Sequence, residues 1–315
     1  AEFAGPDIAY GAGTSIDGGE PGGFAEALAA AAGADVVVLA LGDRAGLFGR
    51  GTSGEGCDAA DLTLPGAQQA LLDAVLDTGT PAVVTLLAGR PYALGTAPER
   101  AAAIVQSFFA GEEGTGAIAG VLSGRVNPSG RLPVSIPRDP GAQPSTYLAS
   151  KLARRNDVSN IDPTPAYPFG HGLGYAPTVW ADAAASGIEM STAGSVTVSI
   201  HVGNAGDRDG VEVVQLYLHD PVASVVRPVR RLIAYARVPL AAGERARVSF
   251  DVPADLAAFT GRDGRRVVEP GDLVFAFGRS SGEIVATRTV RVAGERRFVD
   301  HTRRLHAEVA VTRDA

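Results

Sequence analysis

Cysteine, methionine and tryptophan each occur once in these 315 residues, as Cys57, Met190 and Trp180. A lone cysteine closes no internal disulfide, which excludes the disulfide-stapled scaffolds of small secreted domains. No run approaches the roughly 18 apolar residues needed to cross a bilayer, so no membrane partner is expected. The longest apolar runs, such as Val36 to Leu41 and Ala82 to Ala88, have the length of buried strands. The N-terminus lacks a basic segment followed by an apolar one, so no signal peptide is visible and the expectation leans to the cytoplasm. Positive charge is also scarce: 28 lysines and arginines face 35 acidic residues, Lys151 is the single lysine, and the net charge is −7. That balance excludes a nucleic-acid surface, which needs clustered cations to release counterions. The five histidines have no metal-ligand spacing and the glycine-rich segments no phosphate-cradling pattern, so neither a metal nor another cofactor is expected. Because Met190 is the only methionine, more chain is expected upstream of Ala1.

What is present is an ordinary globular balance, 45% hydrophobic and 20% charged, at about twice the length of a typical domain. In the first half, apolar runs alternate with Ala-rich segments of helical period. Ala34 to Leu41, Pro81 to Ala88 and Ala103 to Phe109 read as buried strands, with a short final strand at Leu132 to Ile136 and a further candidate at Asp7 to Tyr10. Gly22 to Ala32, Pro65 to Asp77 and Gly114 to Leu122 read as helices; Leu71, Leu72, Val75 and Leu76 share one helical face. Continuous apolar strands separated by helices indicate an α/β fold, a doubly wound and mostly parallel sheet. Between Gly42 and Leu64 lies an aperiodic loop of about 20 residues, a length usually kept for function. It follows the C-terminal end of a strand, where open α/β sheets bind ligands, and it carries Asp43, Glu55, Asp58 and Asp61.

The second half changes period. Val196, Val198, Ile200 and Val202 alternate with polar residues, as do Ala246, Val248, Phe250 and Val252, and then Leu273, Phe275 and Phe277. Such strands, divided by turns at Asn204 to Asp207 and Arg262 to Gly264, indicate an antiparallel β-sandwich. The expected organisation is an α/β domain over 1–145, a Pro-, Gly- and Asn-rich linker over 146–177, the sandwich over 178–294, and a tail or extra strand over 295–315.

Several segments, in order, carry a resemblance. They are Ala34 to Asp43, Ser53-Gly54-Glu55-Gly56-Cys57-Asp58, Asp61-Leu62-Thr63-Leu64-Pro65-Gly66, Gly89-Arg90-Pro91, Gly111-Glu112-Glu113-Gly114, Asn127 to Pro133, and Tyr167 to Tyr175. Glu212 to Tyr217, Arg227-Pro228 and Val268-Glu269-Pro270-Gly271 follow in the second half. Together they resemble the C-terminal region of glycoside hydrolase family 3, an α/β sandwich followed by a fibronectin type III-like (immunoglobulin-like) domain. The resemblance implies the C-terminal part of a retaining β-glucosidase or β-xylosidase. Its partner would be an N-terminal (β/α)8 barrel, which supplies the nucleophilic aspartate and most sugar contacts and is not contained in these residues. It also implies that the first strand of the α/β domain precedes Ala1. One departure is Ala59, where many members carry arginine directly after the aspartate of the loop.

Retaining glycosidases use two carboxyl groups about 5–5.5 Å apart, one attacking the anomeric carbon and the other serving as general acid and then general base. The resemblance assigns the second role to Glu55. Gly54 and Gly56 beside it permit positive φ and leave room for a sugar. Asp58 is the candidate for sugar contact, although both it and Asp61 also suit a structural role, ordering the loop and capping the next helix. Asp43 suits hydrogen bonds to the loop, and Arg90 is expected to pair with a carboxylate, either within the fold or across the interface with the barrel. Glu112 and Glu113 suit a helix N-terminus, and His171 a hydrogen-bonded structural position. Cys57, beside Glu55, is expected to be exposed when nothing covers the loop. The alternatives are a non-catalytic module that binds carbohydrate or a partner, and a self-sufficient site in which Asp43 or Asp58 is the second carboxylate.

Overall fold

In the computed structural model, which describes residues 2–3, 5–19, 22–142 and 146–314, the chain falls into two units. The first is built from Ala1–Val126, Ile136–Ser145 and Pro163–Tyr167, the second from Asn127–Ser135, Thr146–Asp162 and Pro168–Ala315.

The first unit runs α1 (Phe24–Ala32), β1 (Val37–Gly42), β2 (Ala45–Leu47), β3 (Ser53–Glu55), α2 (Gln68–Asp77), β4 (Ala82–Leu87), α3 (Ala97–Arg100), β5 (Ala103–Gln106) and α4 (Gly114–Leu122). β1, β4 and β5 form a parallel sheet in that order, with Leu39 opposite Val84 and Val84 opposite Ile104. In α2, Leu71, Leu72, Val75 and Leu76 are buried as their 3–4 spacing requires. Thr78 Oγ1 donates to the Val75 carbonyl at the end of α2 (2.7 Å), and Pro81 follows. These side chains join Leu39, Leu41, Ala82, Val84 and Leu86 in one core, together with residues of α1 and α3.

Three expectations are corrected. β1 is buried on one face only: Leu39 and Leu41 enter the core, whereas Val36 and Val38 are about half exposed (52% and 51%), because α1, α2 and α3 all pack on the Leu39 side. Leu132 to Ile136 forms no strand but a single bridge, Ile136 to Tyr167. Leu132 and Ile136 each donate an N–H across to the Tyr167 to His171 segment, but Pro133 between them and Pro137 after them have none to add to a ladder. Asp7 to Tyr10 is likewise not a strand, and its Ile8 and Tyr10 side chains face solvent.

The second unit continues with β6 (Thr178–Ala185), β7 (Glu189–Ser191), β8 (Ser195–Asn204), β9 (Gly210–His219), β10 (Arg231–Leu240), β11 (Arg245–Pro253), β12 (Phe259–Thr260), β13 (Arg266–Val268), β14 (Gly271–Gly278), β15 (Ile284–Ala293), β16 (Arg297–Phe298) and β17 (Glu308–Arg313). One sheet is ordered β10-β9-β14-β15-β7 and the other β17-β11-β8-β6, with β12-β13-β16 as a small third. The alternating residues of β8 and β11 point inward against Val214, Leu216, Leu218, Phe275 and Phe277. A parallel α/β layer followed by an antiparallel sandwich is the class predicted from the two hydrophobic periods. The tail contributes β17, paired antiparallel with β11.

Candidate active site

The long acidic loop begins where β1 ends. Gln68, buried at the start of α2, holds that end through both backbone groups of Gly42. The Gly42 N–H donates to Gln68 Oε1 (2.7 Å), and Gln68 Nε2 donates to the Gly42 carbonyl (2.8 Å) and to that of Ile16 (2.8 Å). The next residue, Asp43, accepts three hydrogen bonds. Oδ1 takes Thr52 Oγ1 (2.7 Å) and Tyr92 Oη (2.6 Å), and Oδ2 takes the Gly89 N–H (2.8 Å). A carboxylate used in this way organises the loop and is not free to attack a sugar.

Arg90, three residues beyond β4, makes no ion pair with a carboxylate among the described residues, so of the two expected pairings the one within the fold is not formed. Its guanidinium donates to the carbonyls of Thr52 and Cys57 and, at 3.5 Å, to Tyr92 Oη. The separate donors of the planar guanidinium let one side chain hold two carbonyls of the loop at once. Burial, followed by the bond to Asp43, pushes the Tyr92 phenol up to about 12, so it remains a donor at every working pH.

Inside this frame the loop folds on itself. β2 and β3 pair in parallel, with Leu47 opposite Glu55. Gly54 has φ 133°, and a Cβ there would lie 1.9 Å from the Gly46 carbonyl oxygen, so glycine is required for the close approach of the two strands. The Cys57 N–H closes a turn onto the Gly54 carbonyl (3.1 Å), leaving Glu55 exposed at the apex. Cys57 is buried, 5% exposed, with its thiol donating toward the Glu55 carbonyl (3.7 Å). The expected exposure of this cysteine is therefore corrected: it is buried in the folded loop with no barrel present. Asp58 is exposed. Asp61 accepts from the Thr63 N–H (2.9 Å) and Oγ1 (2.6 Å), and these bonds hold its carboxyl below the usual range. It thus makes a local Asx turn and does not cap α2.

The sequence reading missed Gln68, Thr52 and Tyr92. The one available signal was Tyr92, lying two residues after Arg90, while Gln68 looked like any polar residue at a helix start. Glu112 and Glu113 are exposed just ahead of α4, with Glu113 as its cap residue. His171 lies in the second unit, where burial and then the Arg131 charge lower its pKa from the ordinary value. Beside Asp43 in the first unit is a cavity of about 260 Å³ lined by Thr14, Ile16, Ala40, Gln68 and Leu87; Glu55 is not part of its lining. Among the described residues, no group of three or more His, Cys, Asp or Glu side chains could hold a metal ion, and no helix is long and apolar enough to cross a membrane.

Comparison with known proteins gives the following. Residues 12–175 match the family model of the glycosyl hydrolase family 3 C-terminal domain, and residues 212–281 that of a fibronectin type III-like domain. A β-xylosidase of Formosa agariphila is 37% identical over 277 residues, covering 87% of this chain and 38% of the relative. A periplasmic β-glucosidase of Salmonella typhimurium is 36% identical over 269 residues, covering 82% of this chain and 34% of the relative. The crystal structure of a β-glucosidase from Listeria innocua in complex with glucose matches with a TM-score of 0.81 at 32% identity, covering 90% of this chain and 40% of that one. The chain thus spans between 34% and 40% of the length of these proteins.

Proposed function

We infer, since this chain belongs to glycosyl hydrolase family 3, that it is the C-terminal part of a retaining β-glycosidase acting on terminal β-D-glucosides or β-D-xylosides. Glu55 is the general acid/base. The observation that carries this reading is the placement of Glu55: an exposed carboxyl at the apex of a loop held on both flanks by Arg90, beyond the C-terminal end of β1. Ordering a loop of this length costs conformational entropy, and a chain gains little by doing so around a purely solvated glutamate.

In the reaction, a carboxylate outside these residues attacks the anomeric carbon while the glycosidic C–O bond breaks. The departing oxygen takes the Glu55 proton. The Glu55 carboxylate then removes a proton from water, whose oxygen attacks the anomeric carbon and releases the first carboxylate. The nucleophile in this reading comes from an N-terminal (β/α)8 barrel outside these residues; that the chain spans only 38% and 34% of the two relatives leaves length for such a domain. Asp43 is unsuited to that role because three donors already occupy it. Asp58, exposed three residues after Glu55, is the group proposed to meet a sugar hydroxyl.

The test is release of nitrophenol from aryl β-D-glucoside and β-D-xyloside. The chain alone is expected to show no turnover above background, and Glu55→Ala in the full-length enzyme is expected to lose about 10²–10⁴-fold, the usual share of general acid/base catalysis. Turnover by the isolated chain would place a second carboxylate within it and overturn the divided site.

A further inference from the structure

The loop that carries Glu55 is clamped by three side chains, Asp43, Arg90 and Tyr92. Arg90 reaches carbonyls on both sides of the apex, Thr52 three residues before Glu55 and Cys57 two residues after it. Asp43 takes the Thr52 hydroxyl and also the N–H of Gly89, the residue preceding Arg90. Tyr92 joins the two charges, accepting from Arg90 and donating to Asp43. Asp43 directly follows β1, and Arg90 and Tyr92 lie three and five residues beyond β4, next to a strand in which Val84 is wholly buried. Charge-assisted bonds to both flanks of one residue restrict the backbone from which that residue's carboxyl projects.

We propose that Arg90, braced by Asp43 and Tyr92, is a positioning residue for the acid/base step: it sets where the Glu55 carboxyl stands relative to the departing oxygen. The proposal rests on the reading of Glu55 as acid/base. Lysine cannot replace Arg90, because one ammonium does not bridge two carbonyls as a planar fork does. A displacement of about 1 Å at a reacting group can cost about 10²-fold. The cost falls only on the proton-transfer part of the reaction.

The experiment compares Arg90→Lys, Tyr92→Phe and Glu55→Ala in the full-length enzyme on two aryl glycosides with the same sugar. The 2,4-dinitrophenolate of one departs without a proton, and the 4-nitrophenolate of the other, a poorer leaving group, gains from one. For Arg90→Lys, kcat/KM should fall about 10–100-fold on the 4-nitrophenyl substrate and less than about 3-fold on the dinitrophenyl one. Tyr92→Phe, which keeps the ring, should show the same pattern more weakly. In the isolated chain, amide exchange at Thr52 and Cys57 should accelerate in Arg90→Lys, a readout independent of activity.

Equal loss on both substrates, or none on either, overturns the proposal. If Glu55→Ala distinguishes the two leaving groups and Arg90→Lys does not, only the positioning role falls. If Glu55→Ala itself does not distinguish them, the acid/base reading falls and takes the proposal with it. Should Arg90→Lys fail to fold, Tyr92→Phe decides by the same criterion.

Discussion

Glu212 is a buried carboxylate whose removal should be felt throughout the sandwich. It sits in β9 with its side chain 4% exposed, pairs with Arg131 Nη2 at 2.9 Å, and accepts from the Val213 N–H (2.8 Å), Trp180 Nε1 (3.2 Å) and the Thr178 hydroxyl. Arg131, 13% exposed, also donates to the Ser129 (3.3 Å) and Gly130 (3.1 Å) carbonyls, and its Nε has no hydrogen-bond partner among the described residues. Glu212→Ala therefore leaves a nearly buried cation uncompensated and several donors without an acceptor. Breaking a buried pair from one side costs about 3–5 kcal/mol. At a urea slope of about 2 kcal/mol per M, the midpoint should fall by about 1.5–2.5 M. The assay is urea unfolding followed by tryptophan emission, because Trp180 is the only tryptophan and touches the Glu212 carboxylate. Removing both charges with Arg131→Met and Glu212→Leu should recover most of the loss, since an apolar replacement of a buried pair is often neutral. A cost below about 1 kcal/mol for Glu212→Ala, or a double variant worse than the single, would refute the reasoning.

His171 provides a pH test. Its folded pKa lies below the ordinary histidine value because of burial and then Arg131, so on acidification the unfolded chain takes up a proton first. Stability should be full above about pH 6.5, the ordinary value, fall as pH drops from there toward the depressed folded pKa, and level off below it. His171→Asn should flatten that slope, and an unchanged slope in urea titrations would contradict it. Cys57 provides a test of the closed loop. With the thiol 5% exposed, reaction with a disulfide reagent should be at least about 100-fold slower in the native chain than in urea, an opening free energy of about 2.7 kcal/mol. A native thiol reacting at the unfolded rate would mean that the loop stands open.

Hydrophobic period alone determined the two kinds of layer, because side-chain repeat and backbone geometry are coupled: buried parallel strands read as apolar runs, half-buried antiparallel ones as alternation. The helix at Gly114–Leu122 and the sandwich strands around Val198, Val248 and Phe275 were legible for that reason. So was the loop around Glu55, through its length, its acidic content and the glycines on either side. Its motif also pointed to the family, although no carboxylate in it differed chemically from its neighbours. Only the tertiary structure separated them. Which face of β1 is covered depends on where three helices pack, and nothing in Val36 to Leu41 records that. That Leu132 to Ile136 makes a single bridge and no strand depends on prolines that a count of apolar residues ignores. Asp43, Arg90 and Tyr92 lie 47 and 49 residues apart along the chain from the first to the others, and meet because β1 and β4 are parallel neighbours ending at the same edge. Their bonds occupy Asp43, close the loop over Cys57 and leave Glu55 outward. Hydrogen bonding occupies the carboxylates it reaches, Asp43 and Asp61, and leaves Glu55 and Asp58 exposed, and only folding decides which are which.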